Sequence, residues 1–504
     1  MTKKTEQKNT SVPRPPVVAV MGHIDHGKTT LLDYIRKSNV TDKEAGGITQ
    51  HVSAYEVFHK TPEGLTKPIT FIDTPGHEAF AAIRSRGASV ADIAILVVSG
   101  EDGVKPQTLE ALKFIKESKL PFIIAVTKMD KPSANIERAK QSLLENEIYV
   151  EGYGGEVPCL PVSAKTGSGI NELLDMVLLV AEVGEISANE NLPAEGVVLE
   201  VSRSKERGIS AVLIIRNGTL SRGMTVVSGK SISPLRMIEN FAGKKIDVCL
   251  PGTPVTIIGW DSAPKTGDMF HSFYSKKDAE EFLENPEKNI KKIVVIKKSI
   301  AEERVVIPLV VKTDVSGTLE AIEHEMAKLA TDKIIPRIIQ SGTGDINESD
   351  LKILSGNPDA LIFGFNVKID NAARNLAERD GVKIELFTII YKLIERMQEV
   401  IATRTPKLEV VETRGKAKII RLFSVVKDKQ IIGGKVIEGS IGLGDEFKII
   451  RRGAEVGSGR IRELQQQKVK TSEVLKDKEF GAMAEAKIEI APGDVLETFI
   501  IVQK

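Results

Sequence analysis

Disulfides are the first thing this chain does without. Its 504 residues hold two cysteines, Cys159 and Cys249, which cannot make a disulfide framework. A stapled secreted fold is thereby excluded, and two reduced, buried thiols in a cytoplasmic setting are expected. Long apolar runs are also missing: none approaches the roughly 20 residues that span a bilayer, so no membrane segment is expected. The opening MTKKTEQKNTSVPRPP is polar and lacks the apolar stretch of a secretory signal, and residues 1–14 read as a disordered tail. Net charge is scarce as well. Seventy Lys and Arg stand against 69 Asp and Glu, for a net charge of +1, so any nucleic-acid contact must come from a local patch. Tryptophan occurs once, as Trp260, which reads as a core anchor or as a recognition aromatic.

What is present is ordinary globular composition, 41% hydrophobic and 28% charged. The length leaves room for about three to five domains. The organising stretch is VVAVMGHIDHGKTT, residues 17–30. Val17 to Met21 is a short, wholly apolar, β-branched run, as expected of a strand buried on both faces. Gly22, His23, Ile24, Asp25, His26, Gly27, Lys28 and Thr29 then fit G-x-x-x-x-G-K-[ST], with Thr30 following. Leu31, Leu32 and Ile35 fall on one side of a predicted helix. A glycine-bounded loop between strand and helix turns its amides towards phosphate oxygens, and the helix N-terminus adds partial positive charge. In that arrangement Lys28 reaches the β- and γ-phosphates and the Thr29 hydroxyl suits Mg²⁺.

Further motifs follow in order. Thr49 closes a glycine-rich segment and offers a hydroxyl to Mg²⁺ when a γ-phosphate is present. Pro68 to Ile72 reads as a strand ending in Asp73, Thr74, Pro75, Gly76 and His77. There Asp73 holds Mg²⁺ through water, the Gly76 amide approaches the γ-phosphate, and His77 begins a helix. Ile93 to Val98 is another strand, residues 107–118 a helix, and Phe122 to Val126 the next strand, ending in Thr127, Lys128, Met129 and Asp130. Asp130 is suited to accept both N–H groups of guanine's Watson–Crick edge while the Lys128 stem packs on the ring. After a strand around Val157 to Val162, a backbone amide at Ser163, Ala164 and Lys165 is placed for guanine O6. Alternating strands and helices predict a mostly parallel sheet with its ligand at the carboxyl ends of the strands.

On these residues the chain resembles the translational GTPases. G-H-I-D-H-G-K-T, D-T-P-G-H and E-A-G-G-I-T-Q-H together resemble bacterial translation initiation factor 2. Thr127 departs from that pattern, which usually has Asn. The resemblance implies GTP and GDP as ligands, Mg²⁺ as the metal, and ribosome-stimulated hydrolysis of GTP to GDP and phosphate. In it His77 positions the attacking water; a helix-capping His with no catalytic part is the bland alternative. It also implies a monomer that promotes formylmethionyl-initiator-tRNA binding to the small ribosomal subunit and joining of the large one. Other initiation factors would be further partners, with no membrane, and the long N-terminal extension of many members would be missing. Two rival readings stand beside it: a GTPase delivering another aminoacyl-tRNA, and a GTP-switched ribosome-binding module without turnover.

The expected fold is multidomain α/β plus β. Residues 15–184 form the P-loop GTPase domain, with a linker near Val183 to Leu192. Residues 193–288 form a β-barrel, signalled by valine-rich alternation and by turns at Asn217-Gly218, Arg222-Gly223 and Pro251-Gly252. Met224, where such barrels often have Asp, reads as a surface change, and Lys276 to Lys292 as a bridging helix. Residues 289–388 form an α/β/α domain. Residues 389–405 form a connecting helix with a stripe of Ile390, Leu393, Met397 and Ile401. Residues 406–504 form a second β-barrel, with turns expected at Gly433-Gly434, Glu438-Gly439 and Gly444-Asp445. Residues 405–504 hold 19 Lys and Arg against 15 Asp and Glu. Arg451, Arg452, Arg460, Arg462, Lys468 and Lys470 are candidates for a nucleic-acid face or for an ordinary solvated one. The resemblance places formylmethionyl-tRNA recognition here, with a pocket beside Gly434, Phe480 and Gly481. Phe480 packs on the methionine in that reading, or fills the barrel core.

Overall fold

The computed structural model describes residues 11–37, 49–284, 305–331, 333–354, 357, 360–404 and 409–503. They form two compact units, Met1–Thr403 and Arg404–Lys504, each described by itself. Among the described residues no helix is long and apolar enough to cross a membrane.

The all-apolar run after Pro16 becomes β1 (Val17–Gly22), buried at every position. It lies inside a sheet with β2 (Ser53–Lys60), β3 (Thr66–Asp73), β4 (Ile93–Ser99), β5 (Phe122–Thr127) and β6 (Cys159–Pro161), in the order β2-β3-β1-β4-β5-β6. Only β2 runs antiparallel to its neighbour. Helices α1 (Lys28–Arg36) and α5 (Ile170–Val183) cover one face through Leu31, Leu32, Leu173 and Val177. The other face packs on α3 (Pro106–Glu117) and α4 (Ile136–Glu145) through Ala111, Ile115 and Leu143, with α2 (Ala81–Val90) supplying Ala88. Parallel strands put all their carboxyl ends on one edge, and the four motifs of this domain stand there.

Part of the expected tail is ordered. Val12–Pro13 pairs with Ser187–Ala188, and Arg14 makes two 2.7 Å contacts to the Asp92 carboxylate. Both side chains are 8% exposed, and a carboxylate that far from water needs its cation. Residues 1–10 lie outside the described residues.

Residues 195–273 form an eight-stranded antiparallel sheet around one core. Met224 is in that core at 4% exposure, which corrects the surface reading: its flexible thioether fills a gap and its sulfur accepts the Ser221 amide. Trp260 is buried with it. Helix Lys276–Glu284 begins the expected bridge, whose later residues, from 285, lie outside the described set.

The next layer is parallel: β7 (Val305–Thr313), α6 (Ser316–Lys328), β8 (Ile334–Thr343), α7 (Glu348–Lys352), β9 (Leu361–Phe365), α8 (Asn371–Asp380) and β10 (Lys383–Phe387), with sheet order β8-β7-β9-β10. The helix expected over residues 389–405 is α9 (Ile390–Arg404), and it packs along its apolar stripe. Its stripe of Ile390, Leu393, Met397, Val400 and Ile401 shares one core with Leu309, Val311 and Phe363 of this sheet and with Phe80 and Ile83 of the first domain. An apolar face of that width buries itself on the nearest sheet.

The second unit is a closed six-stranded antiparallel barrel. Its strands are β11 (Glu409–Val426), β12 (Lys429–Gly442), β13 (Glu446–Arg451), β14 (Ala454–Gln466), β15 (Glu479–Ala486) and β16 (Val495–Gln503). They pair in the order β11-β16-β13-β14-β15-β12, and β12 returns to β11. Gly433-Gly434 and Glu438-Gly439 are not turns; they lie within β12. The glycines serve close packing: a Cβ on Gly433 would meet Phe423 at 2.8 Å, and one on Gly434 would meet Phe480 at 2.9 Å.

Candidate functional site

The loop from β1 to α1 leaves its strand at Gly22, where φ is 146° and a Cβ would lie 2.4 Å from the Val97 carbonyl oxygen, so only glycine passes. Gly27, also left-handed, precedes α1. Lys28 is buried, and its Nζ donates to the carbonyls of Gly22 at 2.9 Å and His23 at 2.6 Å. Burial pulls it down to about 8, against Asp73, which raises it. An ammonium so poorly hydrated gains strongly from an arriving anion. The Ile24 amide donates to Gln107 Oε1 at 3.0 Å, and Asp25 takes a left-handed φ of 61°.

His23 and His26 do not line the cavity; they brace the loop from behind. Their rings meet edge-on with centroids 4.9 Å apart, and His26 Nδ1 accepts the Ser99 amide at 3.3 Å. Burial, then the neighbouring His23 and Lys28, push His26 down to about 4. The folded protein therefore takes up this proton later than the unfolded chain, whose His titrates near 6.5. The associated stability is complete above about pH 6.5 and is lost as pH falls towards 4, by up to about 3 kcal/mol. Urea unfolding from pH 7 to pH 4.5 should show that slope in the wild type and a flatter one in His26→Gln. Equal slopes would remove the assignment.

A cavity of about 350 Å³ opens over this loop. Ile24, Asp25, Gly27, Lys28, Thr29 and Thr30 line it from the loop and from α1. Thr49 lines it from the segment after the undescribed residues 38–48, and Gly76 and His77 from the segment after β3. Thr29 Oγ1 and Thr49 Oγ1 are hydrogen-bonded at 2.7 Å, although they stand 20 positions apart. Asp73 is buried at the end of β3, within electrostatic reach of Lys28. Among the described residues no cluster of three or more His, Cys, Asp or Glu could hold a metal. Two converging hydroxyls with one carboxylate behind them fit instead a hard cation that keeps waters and shares phosphate oxygens, which is the manner of Mg²⁺.

Asp73 and the next two residues stand behind the cavity wall. Thr74 Oγ1 donates to the Val20 carbonyl at 2.8 Å, and the Pro75 carbonyl accepts from Arg84. His77 caps the short helix Glu78–Phe80: its Nδ1 accepts the Ala79 amide at 2.7 Å. Burial pulls its imidazole below the usual range.

The remaining wall comes from the ends of β5 and β6. Thr127, Lys128 and Asp130 line the cavity, as do Ala164 and Lys165. The Thr127 hydroxyl donates to the His26 carbonyl and lies 3.3 Å from the Val98 carbonyl, so this Thr ties the phosphate loop to the sheet. Lys128 takes a left-handed φ of 60°, with its Nζ 3.8 Å from Asp102. Ser163 is buried, and its hydroxyl donates to Asp130 Oδ1 at 2.7 Å, which holds that carboxyl below the usual carboxylate range. Met129 faces away, into the core beside Gly100.

Several contributors went unseen in the sequence. Arg84 is fully buried and donates to the carbonyls of Pro75 and His77 and to Glu110 Oε1 at 2.6 Å, clamping the segment that carries His77. Its signal was a cation on the buried stripe of α2. Gln50 donates to the Thr388 carbonyl and accepts the Ile390 amide. Tyr391 lines the cavity from α9. No short-range pattern marks contacts of that separation.

In the barrel, Phe480 is 5% exposed and part of the core, and its ring fills the space over Gly434. That corrects the expected pocket: both residues point inward. Gly433 and Gly481 pair across β12 and β15; the Phe423 ring covers Gly433, and no atom lies within 4 Å of where a Gly481 Cβ would be. Arg460 and Arg462 are exposed on β14; Arg460 Nε donates to the Gly444 carbonyl and Arg462 pairs with Glu485. Arg451 is held by Asp494 at 2.8 Å.

A parallel sheet with this loop, these switch segments and these two guanine-type loops, followed by an antiparallel β-domain, defines the class: a P-loop GTPase fold of the translational kind. Residues 14–182 match the Elongation factor Tu GTP binding domain, residues 193–273 Elongation factor G domain 2, and residues 282–398 Translation-initiation factor 2. Translation initiation factor IF-2 of Halothermothrix orenii is 40% identical over 497 residues, spanning 96% of this chain and 72% of the relative. That of Lachnoclostridium phytofermentans is 39% identical over 510 residues, spanning 99% and 45%. The chain belongs to the translation initiation factor IF-2 family. It spans about half the length of several of the curated relatives it matches. The crystal structure of GDP-bound aIF5B from Aeropyrum pernix is 28% identical and covers 97% of this chain and 92% of that one, with a TM-score of 0.48.

Proposed function

We propose that this chain is a GTP-hydrolysing initiation factor. In this reading it promotes formylmethionyl-initiator-tRNA binding to the small ribosomal subunit and joining of the large one, in the cytoplasm and alongside other initiation factors. The observation that carries the reading is the convergence of Lys28, Thr29, Thr49, Gly76, His77 and Asp130 on one cavity. Lys28 and the loop amides hold the β- and γ-phosphates, and Asp130 with the Ser163–Lys165 segment holds guanine. His77 aligns the water that attacks the γ-phosphorus as the bond to GDP breaks. Mg²⁺, when bound, neutralises phosphate charge, and Thr29, Thr49 and, through water, Asp73 would hold it. Positioning and charge neutralisation are most of what phosphoryl transfer requires.

The tRNA part of the proposal moves to the outer face of the barrel. Gly481 leaves backbone open to a ligand there, the 60% exposed Phe423 ring covers its partner Gly433, and Arg460 and Arg462 are exposed on β14. Exposed ion pairs such as Arg462–Glu485 hold weakly enough to exchange for phosphate. The test is retention of labelled formylmethionyl-tRNA on purified small subunits with and without the protein and GTP. Several-fold stimulation is expected; equal retention would defeat the initiation reading.

A further inference from the structure

One wall of the cavity comes from outside the P-loop domain. Tyr391, in the first turn of α9, lines the same space as Lys28, Thr49 and His77. Its ring lies against the His77 imidazole, with centroids 4.3 Å apart and a tilt of 56°. Phe80 meets that imidazole edge-on, at 6.0 Å and 80°. The third restraint is the cap: His77 Nδ1 accepts the Ala79 amide, so in the neutral ring the proton sits on Nε2. Two aromatic rings and one hydrogen bond therefore hold the side chain expected to serve the reaction. The turn that presents Tyr391 is itself fastened, because the Gln50 amide bridges the Thr388 carbonyl and the Ile390 N–H next to Thr49.

We propose that Tyr391 is a positioning residue for hydrolysis: it holds His77 in the helix-capping rotamer and keeps turnover low until the α/β/α domain shifts α9. The proposal rests on the reading of this cavity as a GTP site in which His77 acts. An imidazole committed at Nδ1 and packed under a phenol ring must give up both contacts before it swings to a water in line with the γ-phosphate. The charged groups around it are Glu78 on its own turn, Arg84 on α2, and Glu325 and Lys328 on α6. None of them comes from α9, so Tyr391 acts on His77 through packing and not through charge.

The test is single-turnover GTP hydrolysis by the full chain without ribosomes, with nucleotide affinity measured alongside. Removing one aromatic pair from the resting state should speed hydrolysis by about 3- to 10-fold in Tyr391→Ala. Affinity should hold, and Tyr391→Phe, which keeps the ring, should match the wild type. The gain should vanish when His77→Ala is added. By NMR the His77 ring should titrate closer to 6.5 in Tyr391→Ala, because part of its burial is gone. Tyr391→Leu keeps apolar volume on α9 if alanine unfolds it, and should be fast as well. A fast-variant rate at or below the wild type, or a gain that survives without His77, would overturn the proposal. Full ribosome-stimulated turnover in His77→Ala would instead overturn the underlying reading of His77, whatever Tyr391 does.

Discussion

His77→Ala should bind GTP as the wild type does and lose ribosome-stimulated turnover by about 10²-fold or more, the range for loss of a positioning or general-base group. The imidazole lines the cavity beside Gly76, but the contacts that hold it are an amide, Phe80 and Tyr391. Phosphate is to be held by Lys28 and the loop amides, which the substitution leaves in place. Burial keeps the ring neutral at pH 7, the form that aligns a water without adding charge. His77→Asn separates the two roles. Asparagine is a good helix cap, worth about 1 kcal/mol over alanine, so it should restore stability and leave turnover low. Multiple-turnover phosphate release with ribosomes, beside calorimetric GTP affinity, measures both. Turnover like the wild type in His77→Ala would leave the residue as a cap alone.

Asp130→Asn should weaken GTP binding by roughly 10²-fold or more, the loss expected when one charge-assisted hydrogen bond becomes a donor–donor clash and the other loses its charge. It should also favour xanthosine triphosphate. Ser163 holds the Asp130 carboxyl ionised and oriented, so both of its acceptors are available to the paired donors of guanine. Asparagine turns one acceptor into a donor, which suits the carbonyl of xanthine. Competition binding between the two nucleotides decides, and an unchanged preference for GTP would move base selection elsewhere.

Residues close in sequence made the phosphate loop legible. Gly22, Gly27, Lys28 and Thr29 lie within one strand–loop–helix unit, where backbone geometry and helix dipole act over a few ångströms. The Asp130 and Ser163 motifs were legible for a related reason: each ends a strand, and a parallel sheet brings such ends together. Turn spacing announced the β-domains. It failed at Gly433-Gly434, because glycine marks close approach as readily as a turn, and here two phenylalanine rings needed the room.

Sequence alone thus determined the class of fold, the family and the phosphate and guanine motifs, since each depends on local pattern. Tertiary structure alone decided that Met224 is core, that Phe480 points inward, which surfaces the stripe of α9 meets, and that Tyr391 reaches His77. A side chain's surroundings are set by which sheets and helices dock on its element, and His77 and Tyr391 stand 314 positions apart. Arg84 shows the same limit: one buried guanidinium satisfies two carbonyls of the Pro75–His77 segment and the Glu110 carboxylate, and only folding brings them within hydrogen-bond range.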